Sequence, residues 1–302
     1  MKATLLSETP LPHLPSASGV EIIGPTAYLV SDDAPFLYLL DAATLAPAGQ
    51  IELFASTEFG TGRISKARKP DLESLAAIVA PTGAVGLLLC GSGALPARET
   101  GYFVGLPSPL ASPAPRFVQR LDLGQLYARL RAHLPAGAVL NLEAAATTTS
   151  ELLLLHRPVS GQALVFALPL APTLAHLFEP RTPVPTPAAV YPFALPVLGG
   201  YAAGFSGATL VEGQLLVTAS VEATTDAVAD GTTLGSFIGR LDLVAQTATF
   251  ARLAWADGRA YLGKVEGLAV RRTLGPSAWE LLLVTDDDLG GSTALVAELR
   301  LA

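Results

Sequence analysis

Four glutamates sit in closely similar apolar settings: Glu21 in SGVEIIG, Glu73 in PDLESLA, Glu143 in LNLEAAA and Glu266 in GKVEGLAV. Each follows Val or Leu and precedes small or apolar residues, the pattern of a short buried strand. An ionised carboxylate is costly to bury without a partner, and several gathered in one place raise one another's pKa values unless a cation sits among them. A divalent cation is the economical solution. Calcium fits best, because it accepts about six to eight oxygens in loose geometry, whereas magnesium demands a tight octahedron. The other donor types offer little: Cys90 is the only cysteine, and His13, His133, His156 and His176 show no metal-binding spacing, so the metal is expected to be oxygen-bound.

Polar groups also gather where uniformly apolar runs end, at SDD (31–33), CGSG (90–93), HRP (156–158), ASVE (219–222) and TDDD (285–288). Asp32, Glu222 and Asp286 are the candidates to accept a proton from an attacking water. Arg98, Arg157 and Lys264 are the candidates to hold an anionic ligand, with further cations in the RISKARK loop at Arg63, Lys66, Arg68 and Lys69. Carboxylates on a divalent ion beside arginines are parts suited to hydrolysing a phosphate ester or phosphoanhydride. His156, Cys90, Trp255 and Trp279 read as packing residues.

Short Val/Leu/Ile/Phe runs cut by Gly, Pro, Asp and Ser must position these groups, which signals an all-β chain rich in turns. The runs repeat in fours, and Glu21, Glu73, Glu143, Ser206 and Glu266 recur at intervals of 52, 70, 63 and 60 residues. The fifth unit ends one strand short, and KATLLSE (2–8) has no partner of its own. The expected fold is one domain over 1–302: a five-bladed β-propeller of four-stranded blades, closed by the N-terminal strand joining the last blade, which leaves no exposed sheet edge at the seam. A sixth blade is open only if the proline-rich 172–200 segment hides a sheet. Helical periodicity predicts one helix, over 123–134. First strands of a propeller line its central channel, so the glutamates are expected to converge there.

In the fourth unit, GFSGATLV puts Ser206 or Thr209 near the glutamate position. Taken in order, VEI, LESL, NLEA, GFSG and KVEG resemble the soluble calcium-activated nucleotidases, the apyrase family, which are five-bladed propellers with calcium in the central channel. The resemblance implies that Glu21, Glu73, Glu143, Ser206 and Glu266 contact calcium, and Asp32–Asp33 and Lys264 resemble that family's paired aspartates and Lys-x-Glu-Gly. The chain departs from the family at Ala34–Pro35, where an arginine usually follows the aspartates. Two other readings stay open: a non-catalytic binding propeller with a structural calcium ion, and a calcium-dependent lactonase or esterase.

Composition narrows the partners. Half of the 302 residues are apolar, the formal net charge is −7 and there are only four lysines, which argues against nucleic acid or an anionic membrane. A small phosphate-containing ligand is the expected partner, with no obligate protein partner evident. Prolines in 74–97 and 182–211 break those uncharged stretches as spanning helices. The first fifteen residues lack a signal-peptide pattern; this leaves the compartment undetermined, with a cytoplasmic location expected for the sequence as written and export expected if a leader has been removed.

Overall fold

A computed structural model describes residues 1–55, 64–107, 117–159, 161–224 and 231–301; Arg63 lies outside them. After β1 (Lys2–Pro10) the chain forms β2 (Ala17–Ile23), β3 (Thr26–Ser31), β4 (Phe36–Asp41) and β5 (Pro47–Glu52), an antiparallel sheet in sequential order. The same arrangement recurs in β6 (Leu72–Val79), β7 (Val85–Gly91), β8 (Thr100–Gly105) and β9 (Phe117–Asp122). It recurs again, after helix α1 (Gly124–Arg131), in β10 (Leu142–Thr147), β11 (Glu151–His156), β12 (Ala163–Pro169) and β13 (Ala189–Phe193). Helix α2 (Leu170–Phe178) interrupts that third sheet, and a short hairpin, β14 (Val197–Leu198) and β15 (Tyr201–Ala202), follows it. No further four-stranded sheet occupies the described part of 172–200.

The remaining strands are β16 (Gly204–Val211), β17 (Gln214–Glu222), β18 (Thr233–Asp242), β19 (Thr247–Trp255), β20 (Lys264–Gly275), β21 (Ala278–Asp286) and β22 (Ser292–Arg300). With β1 they form one eight-stranded sheet in the order β16-β17-β18-β19-β1-β22-β21-β20. Within it, β1 pairs antiparallel with β22, from Lys2↔Arg300 to Pro10↔Thr293, and parallel with β19. The first strands close on themselves: β2 packs beside β6, β6 beside β10, β10 beside β16, β16 beside β20, and β20 beside β2. The fold is all-β and propeller-like.

The uniformly apolar second strands follow from this packing. In β7, Leu87 and Leu89 pack with Leu37 and Leu39 of the first sheet, while Leu88 and Cys90 turn to Leu152, Leu154 and Phe166 of the third. In β21, Leu282 and Val284 pack against Leu29, while Leu281 and Leu283 pack against Leu216 and Ile238. Period-two alternation thus serves two cores at once, and each buried leucine contributes about 2 kcal/mol. Among the described residues no helix is long and apolar enough to cross a membrane.

The predicted helix appears as α1, with Leu126, Tyr127 and Leu130 buried. The sequence did not reveal α2, because Pro172 and the apolar run before it read as a strand leading to a turn; proline is tolerated in the first turn of a helix.

Candidate functional site

Each first strand carries a β-bulge at the same step. The register slips between Ala17 and Gly19 in β2, Leu72 and Ser74 in β6, Leu142 and Ala144 in β10, Phe205 and Gly207 in β16, and Val265 and Gly267 in β20. A bulge inserts one extra residue and re-aims its side chain. The residues so placed are Ser18, Glu73, Glu143, Ser206 and Glu266.

Ser18, Glu73, Glu143 and Glu266 line a cavity of about 130 Å³ at the mouth of the ring, and line again a small space of about 10 Å³ beneath it. Ser206 is fully buried, and its hydroxyl turns into the sheet, donating to Thr218 Oγ1 at 3.2 Å and meeting Ser220 Oγ at 3.4 Å; it is not on the cavity wall. Thr209 is buried and is absent from that wall as well.

Glu21 requires a correction. It lies three residues past the bulge in β2, away from the cavity, and its Oε1 accepts a bond from the Ile22 amide at 3.2 Å. Ser18, not Glu21, is the register equivalent of Glu73. Burial pushes the Glu21 carboxyl up to about 7, partly offset by the Ile22 and Ala77 amides. Its folded pKa therefore exceeds its unfolded one, so the native state holds the extra proton between about pH 4.5 and 7, and stability falls as pH rises through that window. Glu21→Gln is expected to stabilise the protein by on the order of 2 kcal/mol at pH 8 and to leave it unchanged near pH 4.5. Thermal melts at the two pH values check this; equal effects at both would contradict it.

The second-strand ends form the cavity wall, bringing in Asp32, Arg157, Glu222 and Asp286, with Asp288 just beyond. The CGSG end of β7 behaves differently. Cys90 is buried in the core, its thiol pushed up to about 12 by desolvation. Ser92 instead supports Asp71, donating to its Oδ2 at 2.5 Å. Residues 64–71 add Lys66, Lys69 and Asp71 to the wall; Arg68 is exposed and outside it. His156 turns away, its Nε2 at 3.1 Å from the Val139 carbonyl. Trp279 is buried core, whereas Trp255 is half-buried with Arg259 over its ring at 5.3 Å.

Asp71 was missed by sequence reasoning. Its left-handed backbone (φ 54°), tolerated by Asp, starts the turn into β6. Arg98 Nη1 grips its Oδ2 at 2.5 Å and Lys69 Nζ its Oδ1 at 3.2 Å. The only sequence signal was a carboxylate two residues ahead of Glu73.

The cations expected to await an anion are ion-paired. Lys69 also contacts Asp32, and Asp33 at 3.1 Å. Arg157 pairs with Glu222 and with Glu143 at 3.7 Å. Lys264 meets Glu266 at 2.9 Å, Asp288 at 3.2 Å and Glu222 at 3.6 Å. Negative charge still exceeds positive: eight carboxylates and five cationic side chains line the cavity.

The excess is concentrated on the ring. Burial, then Glu143 and Asp71, push Glu73 well above the usual range, and among the described residues it makes no hydrogen bond or ion pair. Burial raises Glu266 to about 8 against the pull of Lys264, and its Oε2, like Oδ1 of Asp32, is buried without a partner. One carboxylate oxygen each from Asp32, Asp71 and Glu73 lie within 4.8 Å of one another. This all-oxygen, under-neutralised donor set suits a hard divalent cation.

The family described as "Family of unknown function (DUF6929)" matches residues 13–299. No curated protein matches the sequence. In fold the chain is similar to Myxococcus xanthus glutaminyl cyclase, with a TM-score of 0.52 at 10% identity over 99% of this chain and 97% of that one. Looser likenesses are to Podospora anserina α-L-arabinofuranosidase (TM-score 0.47, 8% identity, 95% and 92% covered) and the Neurospora crassa Pan2 WD40 domain (0.41, 9%, 99% and 96%). These likenesses concern fold, and none of them singles out the calcium-activated nucleotidases.

Proposed function

The chain belongs to the DUF6929 family, whose function is unknown, and on the strength of its cavity we propose that it is a divalent-cation-dependent hydrolase of phosphate esters or phosphoanhydrides, with calcium as the cation. The proposed architecture is a five-bladed propeller in which β16–β19 and β20–β22 with β1 are two blades joined through the β19–β1 pair. The observation that carries the functional reading is the buried Glu266 Oε2 without a hydrogen-bond partner, on the same cavity wall as Asp32, Asp71 and Glu73, whose carboxylate oxygens lie within 4.8 Å of one another.

Glu73, Asp32 and Asp71, whose carboxylate oxygens lie within 4.8 Å of one another, would hold the ion, and Glu143 and Glu266 on the same wall would complete its shell. Bound there, it would supply Lewis-acid polarisation of a phosphoryl oxygen. Arg157 and Lys264 would hold the ligand's anionic oxygens from the opposite wall. Asp286 is the best-suited proton acceptor: it lines the cavity, and burial, offset by Lys264, sets it at about 6, near a working pH. Glu222, bonded to both Arg157 and Lys264, suits the role of orienting those cations better than that of a base. Asp32 is tied to Lys69, which disfavours it as a base too.

One observation favours a non-catalytic binding propeller instead: Lys69, Arg98, Arg157 and Lys264 all have carboxylate partners. Phosphate release separates the two readings. Metal-stripped protein is given pyrophosphate, nucleoside di- and triphosphates or p-nitrophenyl phosphate, with calcium, magnesium or chelator. Calcium-dependent release is expected, reduced about 100-fold or more in Asp286→Asn. No release above the chelated background from any substrate would refute hydrolysis and leave the binding reading.

A further inference from the structure

The ammonium of Lys264 is ringed by carboxylates: it donates to Asp288 at 3.2 Å and ion-pairs with Glu266 at 2.9 Å and Glu222 at 3.6 Å. Arg157 likewise spends Nη1 on Glu143 and Nη2 on Glu222. Two positive charges thus serve four negative ones, and an anion arriving alone meets like charge around both cations. Two of those four carboxylates, Glu143 and Glu266, belong to the ring on which the proposed cation would sit. Glu266 is 4% exposed, with one oxygen on Lys264 and the other without a partner.

We propose that Lys264 and Arg157 are tethered stand-ins for the cation: they hold Glu266 and Glu143 until a divalent ion takes those carboxylates, and are thereby released to grip the anionic ligand. The inference rests on the cation-and-anion reading above and adds an order of binding to it. Each ligand then tightens the other by the same factor, as linkage requires, and the cavity is held closed to anions while the cation is scarce. Glu222 keeps Arg157 and Lys264 side by side in both states, since it ion-pairs with both and lies off the ring.

Isothermal titration of the metal-stripped full chain with calcium and with methylphosphonate, each alone and with the other saturating, tests this. Calcium is expected to tighten methylphosphonate at least 10-fold, and methylphosphonate to tighten calcium equally. In Lys264→Met, calcium should bind more tightly than to the wild type, because its tethered competitor is gone, while the mutual enhancement falls below threefold. Should that variant fail to fold by circular dichroism, Glu222→Gln serves. By freeing a donor on both cations, it should bind methylphosphonate several-fold more tightly than the wild type without calcium. Methylphosphonate affinity that calcium leaves within twofold would overturn the competition and leave cation binding intact; no calcium binding at all would overturn both.

Discussion

Glu73→Gln is expected to lower calcium affinity about 100-fold while making the metal-stripped protein more stable. The two effects have one cause. Among the described residues Glu73 lines the cavity without a hydrogen bond or ion pair, and Glu143 and Asp71 oppose its ionisation after burial has already done so. Glutamine keeps the shape and removes the charge, relieving repulsion by on the order of 1 kcal/mol, or about 3 °C in melting temperature for a domain of this size. A directly coordinating oxygen carries at least as much affinity as the outer partners of a metal site, whose loss costs about 10- to 100-fold. Stability gained while binding is lost is the trade expected at a functional position. Calorimetry and thermal melts read the two quantities; a glutamine variant that binds calcium as the wild type does would remove Glu73 from the site.

Lys69→Met is expected to have the opposite effect on stability, costing about 3–5 kcal/mol in urea denaturation. Lys69 is 4% exposed and its ammonium serves Asp32, Asp33 and Asp71 together. Methionine preserves much of the stem's packing but takes the ammonium away from all three aspartates at once, while Arg98 still holds Asp71. The exposed pair Arg300–Glu298, with Arg300 59% exposed, is the control: solvent screens it, and Arg300→Met should leave stability essentially unchanged. A Lys69→Met cost as small as the control's would mean that the aspartates are not held as a charged cluster.

The strand pattern was legible in the sequence because the buried parts of second strands, such as LLLC (87–90) and LLLL (152–155), are apolar at every position, and turn residues punctuate them. KATLLSE was assigned to the last sheet because that unit lacked a strand, and β1 does pair with β22. The site was legible by residue type but not by register. Glu73, Glu143 and Glu266 share a bulge with Ser18, yet Ser18 carries no charge and Glu21, three residues on, imitates the motif. Register is set by hydrogen bonding, which a one-residue bulge shifts without trace in composition. Ser206 occupies its bulge, but the direction of its hydroxyl depends on Thr218 and Ser220 in the next strand. The shared partner of Arg157 and Lys264 was hidden for a similar reason: Glu222 lies 65 residues from Arg157, and only the packing of the third sheet against the next, β10 beside β16, brings them together.

The most direct test of a cation on the ring is the melting temperature of the metal-stripped full chain as calcium is added. Binding to the native state alone stabilises by about 2.7 kcal/mol at a hundredfold excess over the dissociation constant, and a rise of about 5 °C or more is expected, abolished in Glu73→Gln. A melting temperature indifferent to calcium, magnesium and manganese alike would contradict it.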